Sequence, residues 1–137
     1  MNDGEASARV VEQRVRNRII EYFSTVGSIA EEQHYERTAP PYVNIPYEII
    51  NQWEDWVPTD PRSTRYEPLS TLSDDEIQAL REYQGAWERA AAAVPQTGPS
   101  LAEVQRLPEW RNLTQSAASA AAVFARRGLL PEDREVD

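Results

Sequence analysis

The sequence predicts an all-α protein, a single domain folded as an irregular bundle of about four main helices and one short helix, with a Pro-rich loop at about 58–72. Three observations predict it. Apolar residues recur at three- and four-residue steps along several stretches, the period of a helix with one buried face. Ser-x-x-Glu boxes, which satisfy free N–H groups at a helix start, occur at Ser28/Glu31, Ser73/Glu76 and Ser100/Glu103. Prolines cluster between the apolar runs, and no stretch shows the two-residue alternation of a half-buried strand.

The expected domain spans 5–130, between a disordered N-terminus at 1–4 and an acidic, frayed tail at 131–137. The first helix is expected from about Glu5. Ala8, Val11, Val15, Ile19, Tyr22 and Val26 form its stripe, and Glu5/Arg9 and Glu12/Arg16 are i,i+4 pairs in the favourable order. Gly27 interrupts the pattern. A fresh start at Ser28 competes with one long helix bent at Gly27 and running to about Arg37, and the long helix is the preferred reading. Pro40 and Pro41 end it. Asn44 caps the next helix, Pro46 fits its first turn, and Pro58 closes it. Ile49, Ile50, Trp53, Trp56 and Val57 share its apolar arc and are read as core. After the loop, the Ser73/Glu76 box and the acids Asp74 and Asp75 favour a helix start, and Ile77, Leu80, Tyr83, Gln84, Trp87, Ala91 and Val94 mark its inner side. A short helix is expected at 100–106. A last one, from 108 to 127, carries Trp110, Leu113, Ala117, Ala121 and Phe124 on one stripe.

Composition narrows the chemistry. The 137 residues include no Cys, which removes disulfides and thiolate sites. All 14 basic residues are Arg, so neither a Schiff-base lysine nor a P-loop lysine is present. No apolar run approaches the length of a membrane span and no secretory signal pattern opens the chain, so a cytoplasmic location is expected. The net charge of −9 opposes binding to nucleic acid or anionic lipid. That charge is densest at 28–57, where six acids face one Arg. The basic cluster of Arg9, Arg14, Arg16 and Arg18 lies in a segment with as many acids, and reads as a solvated face.

Glu31 and His34 have the Glu-x-x-His spacing of di-iron helices, in which both side chains share a helix face. Such a site needs the motif twice, so only a homodimer would complete it. The neighbours Glu32, Gln33, Glu36 and Arg37 read as a solvated helix end. No cofactor is expected, and no catalytic motif is present.

The function expected from these features is that of a small, acidic, non-enzymatic protein-binding module, such as a bacterial inhibitor or immunity-type protein that occludes a basic site on a partner protein. The expected docking surface is the polar face of the 44–57 helix, with Glu48, Asn51, Gln52, Glu54 and Asp55, together with Arg62, Arg65 and Tyr66 of the following loop. The alternatives are a metal-binding homodimer using Glu31 and His34, and a homo-oligomeric structural subunit that pairs through its first helix.

Overall fold

The computed structural model describes residues 6–136, and the positions expected to be disordered at 1–4 lie outside them. Six helices follow one another: α1 (Ala8–Val26), α2 (Ile29–Thr38), α3 (Ile45–Trp56), α4 (Asp74–Ala93), α5 (Leu101–Val104) and α6 (Pro108–Ala125). The fold is all-α, with four long helices, and no strand occurs among the described residues. The helix starts follow local chemistry. Ser7, Ser28, Asn44, Ser73 and Ser100 each accept a backbone N–H of the first turn. Helix α6 has no side-chain cap and instead places Pro108 in its first turn, where a missing N–H costs nothing.

One preferred expectation fails at Gly27. The chain does not continue as a bent helix. Gly27 ends α1 with its N–H on the Phe23 carbonyl, and Ser28 starts α2 afresh. The reason is close packing: a Cβ at Gly27 would stand 2.9 Å from both the Cα and the N of Ala118. The α1–α2 corner thus presses on the backbone of α6, and only glycine leaves room.

Helix α4 packs most extensively on α6, and α1 packs on α6 beside it. Ala79, Ala86 and Ala90 of α4 and Ala117 and Ala120 of α6 are buried, small enough for two helices to approach closely. At the centre, Tyr22, Phe23, Trp53, Tyr83 and Phe124 form an aromatic cluster, its tightest pair being Trp53 and Tyr83 at 4.7 Å between centroids. Its polar atoms are satisfied. The Tyr22 and Tyr83 hydroxyls lie 2.7 Å apart, Tyr22 donates to the Ile49 carbonyl, and Trp53 Nε1 donates to Gln84 Oε1 at 2.7 Å.

The N-terminal half of α1 differs from its expected stripe. Val11 is 47% exposed, whereas Gln13, Arg16 and Asn17 are buried. The Glu12–Arg16 pair does not form. Glu12 instead accepts the Ser70 N–H and hydroxyl, while Arg16 leaves the supposed solvated basic face to form a two-pronged ion pair with Glu76. Arg16 also donates to the Gly128 carbonyl and lies over the Phe124 ring, 5.3 Å from its centroid. Arg127 adds a second cation to Glu76.

The C-terminal segment is not frayed where it is described. Gln13 donates to the carbonyls of Pro131 and Arg134, both at 2.7 Å, and accepts the Val136 N–H. Asn17, one turn on, clamps Leu130 by its N–H and its carbonyl. Arg9 and Arg14 donate to the Val136 and Glu132 carbonyls, and Arg18 pairs with the Glu132 carboxylate. Two amides at i and i+4 thus read the backbone of 130–136 as a strap along α1, with Arg9 and Arg14 on its carbonyls and Arg18 on the Glu132 carboxylate.

Candidate functional site

Helix α3 is mounted rigidly at its N-terminal end. Asn44 caps the helix and donates through Nδ2 to the Pro99 carbonyl at 3.0 Å. The Tyr47 hydroxyl donates to the Pro95 carbonyl at 2.7 Å and accepts the Gly98 N–H. Ile45, Ile49 and Trp53 are buried, which turns Glu48, Gln52 and Asp55 outward toward α1 and α2.

These three side chains form one wall of an open groove of about 450 Å³. Arg18, Glu21 and Thr25 of α1 form the facing wall, Tyr35 of α2 closes one flank, and Tyr22 and Trp56 add aromatic surface. Gln52 bridges the walls, its Nε2 lying 3.0 Å from the Tyr35 hydroxyl and 3.3 Å from Glu48 Oε1. Burial pushes the Tyr35 phenol up, and the nearby Glu48 charge adds to it, so the hydroxyl keeps its proton. Arg18 pairs with Glu132 and lies 3.4 Å from Glu21, its buried Nε making no hydrogen bond among the described residues. Neither Glu48 nor Asp55 has an ion-pair partner among the described residues.

A second, smaller hollow of about 270 Å³ opens beside the first. Ile19, Val57, Pro58 and Leu69 give it apolar lining, and Thr59, Arg65, Tyr66 and Glu67 line it as well. Trp56 lines both hollows. It was expected on the core arc of α3 but is only half-buried. Trp53, Trp87 and Trp110 each donate the indole N–H to an intramolecular acceptor, and Trp56 has none among the described residues.

The expected docking surface is therefore partly assembled and partly redistributed. Glu48, Gln52 and Asp55 share the groove. Asn51 and Glu54 are exposed and line neither hollow. Arg65 and Tyr66 belong to the second hollow, joined to the groove only through Trp56. Arg62 is drawn elsewhere, 3.0 Å from Asp60 and 2.6 Å from Glu88 of α4. Hydrogen bonds from Arg62 hold the Asp60 carboxyl below its ordinary range.

The Glu-x-x-His pair is exposed, and no group of three or more acidic or histidine side chains able to hold a metal occurs among the described residues. Its neighbour Glu32, expected in a solvated helix end, is the buried member of α2. Glu32 accepts from Trp110 Nε1 at 2.9 Å, Gln105 Nε2 at 3.1 Å and the Thr114 hydroxyl at 2.8 Å. Burial raises its carboxyl above the usual range, against the lowering effect of those three donors.

Arg18, Glu21, Thr25 and Tyr35 were not expected in the site. A usable signal existed in the row Arg18, Glu21, Thr25, which follows i, i+3 and i+7 spacing beside the apolar stripe of α1. Tyr35 carried no comparable signal. The groove offers carboxylates, phenols and an indole, groups that together bind cations and apolar side chains. Among the described residues, no helix is long and apolar enough to cross a membrane. Comparison with protein-family models, with curated proteins and with solved structures finds no match for this chain.

Proposed function

We propose that the protein is a small acidic binding module that docks a basic surface of a partner protein over the groove between α1, α2 and α3, and so occludes that surface. One observation carries this reading. Glu48 and Asp55, fixed on a helix anchored at its N-terminal end, edge an aromatic-walled groove without an ion-pair partner of their own among the described residues. The surrounding 28–57 segment carries six acids against one Arg. One of those acids, Glu32, is buried, which leaves the others to set the outward potential. Charge of this kind steers encounter with a basic partner and sets register.

The metal reading has no comparable support, because Glu31 and His34 stand exposed and no third ligand joins them among the described residues. Pairing of copies through α1 is also poorly supported. Ile19, Tyr22, Phe23 and Val26 are inside the fold, and another flank lies under the 130–136 strap.

The test is quantitative co-purification from the native cells with the wild-type chain and with the Glu48→Arg/Asp55→Arg double variant, each checked for helicity. A basic protein held by the wild type should be lost from the double variant and kept by Glu82→Arg, an exposed control on α4. The same partners in the same amounts on all three chains would sink the proposal.

A further inference from the structure

We infer that Trp56 divides a two-part receptor, in which the groove accepts a guanidinium side chain of the partner protein and the smaller hollow accepts an apolar side chain two residues away. The inference rests on the docking reading above and narrows it to one short motif, Arg-x-apolar in an extended segment.

Charge complementarity supplies the first argument. Glu21, Glu48 and Asp55 line the groove with one cation, Arg18, which Glu21 and Glu132 already engage. A guanidinium entering there meets the two free carboxylates of α3 and the rings of Tyr35 and Trp56. Its planar fork can donate two N–H groups to one carboxylate while its face stacks on a ring, which an ammonium cannot do.

The second argument is the position of Trp56. It is the residue common to both hollows, it is half-buried, and unlike the other three tryptophans its indole N–H has no acceptor among the described residues. A structural tryptophan normally finds an acceptor, as the buried Trp53 and Trp110 and the half-buried Trp87 do. At Trp56 the donor stays free for a carbonyl of the bound segment.

The third argument is spacing. In an extended peptide, side chains at i and i+2 point the same way, about 6.6 Å apart. Two side chains on either side of one aromatic ring sit about 7–8 Å apart, twice a van der Waals contact. The second hollow, at about 270 Å³, has room for one side chain rather than a whole segment, and Ile19, Val57, Pro58 and Leu69 offer it apolar contact beside the polar Thr59, Arg65 and Glu67.

The test uses the full-length chain labelled with nitrogen-15 and three capped peptides, Ac-Ala-Arg-Ala-Leu-Ala-NH2 and its forms with citrulline for Arg or Ser for Leu. The Arg/Leu peptide should move the Trp56 indole resonance and leave the other three indoles in place. The citrulline form should bind at least about tenfold more weakly, through loss of the charge. The Ser form should bind about three- to tenfold more weakly, through loss of apolar burial. Asp55→Asn should weaken the Arg/Leu peptide about two- to fivefold and leave the citrulline form unchanged. Trp56→Phe, which keeps a ring and removes the N–H, should weaken both by a similar factor; Asp55→Asn carries the test should that variant unfold. Equal binding of the Leu and Ser forms, with shifts at Glu48 and Asp55, would overturn the two-part receptor while sparing the docking reading. No shift at Glu48 or Asp55 with these peptides or with hexa-arginine would overturn both.

Discussion

Two fully buried carboxylates sit at opposite ends of the bundle and are treated in opposite ways. Glu76, at the start of α4, is 1% exposed and meets two guanidinium groups, Arg16 and Arg127, as well as the Ser73 N–H. Glu32, on α2, is 0% exposed and meets three neutral donors, one from the turn after α5 and two from α6. Burial works to raise both carboxyls. At Glu76 the hydrogen bonds from Arg16 and Arg127 overcome it and hold the group below its usual range; at Glu32 the neutral donors do not, and the group is raised. A buried charge with charged partners is thus committed to ionisation, whereas one with neutral partners stands near a choice.

The largest effect should come from breaking the ionic end. Glu76→Gln leaves Arg16, 0% exposed, without a counter-charge and weakens the Ser73 capping box. Loss of one member of a buried pair costs about 3–5 kcal/mol. Urea unfolding followed by tryptophan fluorescence should show it. Replacing Arg16 by Met should cost less, because Arg127 remains on Glu76 and the methionine can fill space against Phe124. Equal losses from the two variants would mean that Arg127 does not share the charge.

The Glu32 end should respond according to whether the acceptor is kept. Glu32→Ala strands the Trp110 indole N–H, which has 1% exposure around it, and two further donors. The expected cost is about 2–4 kcal/mol. Gly27→Ala strikes the same end by a different route, forcing the α1–α2 corner off Ala118. An overpacked contact of this kind costs about 1–3 kcal/mol. Both losses should appear together with faster hydrogen exchange in α2 and unchanged exchange in α4. Uniform exchange across both helices would show that the two ends unfold as one.

The contrast between the ends also explains what the sequence could disclose. Helix starts were legible at Asn44, Ser73 and Ser100 because a cap is decided within four residues. Trp53 was legible as core because the apolar arc of α3 has helical period. The buried charges were not. Arg16 and Glu76 are 60 residues apart, and Glu32 and Trp110 are 78 apart. Charged residues are ordinarily on the surface, so only the packing of distant helices turns these inward. The same applies to the site. The α3 wall could be read from one amphipathic helix, whereas Tyr35 and the α1 wall depend on how helices cross. Arg62 was assigned to the docking surface by its nearness in sequence, but the loop carries it to Glu88. The strap at 130–136 was hidden for a related reason. Gln13 and Asn17 look like solvated polar positions until the backbone of 130–136 lies against them.

The smallest effect should come from Glu32→Gln, and it gives the comparison its sign. The new amide keeps an oxygen for Trp110 and Gln105, and the Thr114 hydroxyl can turn to accept from its nitrogen. Stability near neutral pH should change by less than about 1.5 kcal/mol. The pH profile should change more visibly. A carboxyl raised in the folded state contributes stability that is fully present below its unfolded value and is lost as pH rises through the folded value. A carboxyl lowered in the folded state does the reverse, losing its contribution as pH falls through the folded value. Wild-type stability should therefore decline on both sides of a maximum, through Glu76 on the acid limb and Glu32 on the limb rising from the ordinary carboxyl range. Tyr22 and Tyr83, which feel the Glu32 charge, stay neutral there because burial, chiefly, raises their phenols. Glu32→Gln should flatten the upper limb alone, and Glu76→Gln the acid limb alone, in urea titrations taken across the acid-to-neutral range. If Glu32→Gln left the upper limb intact, Glu32 would be ionised in the fold at all these values, and the neutral donors would hold a buried charge as firmly as two arginines do.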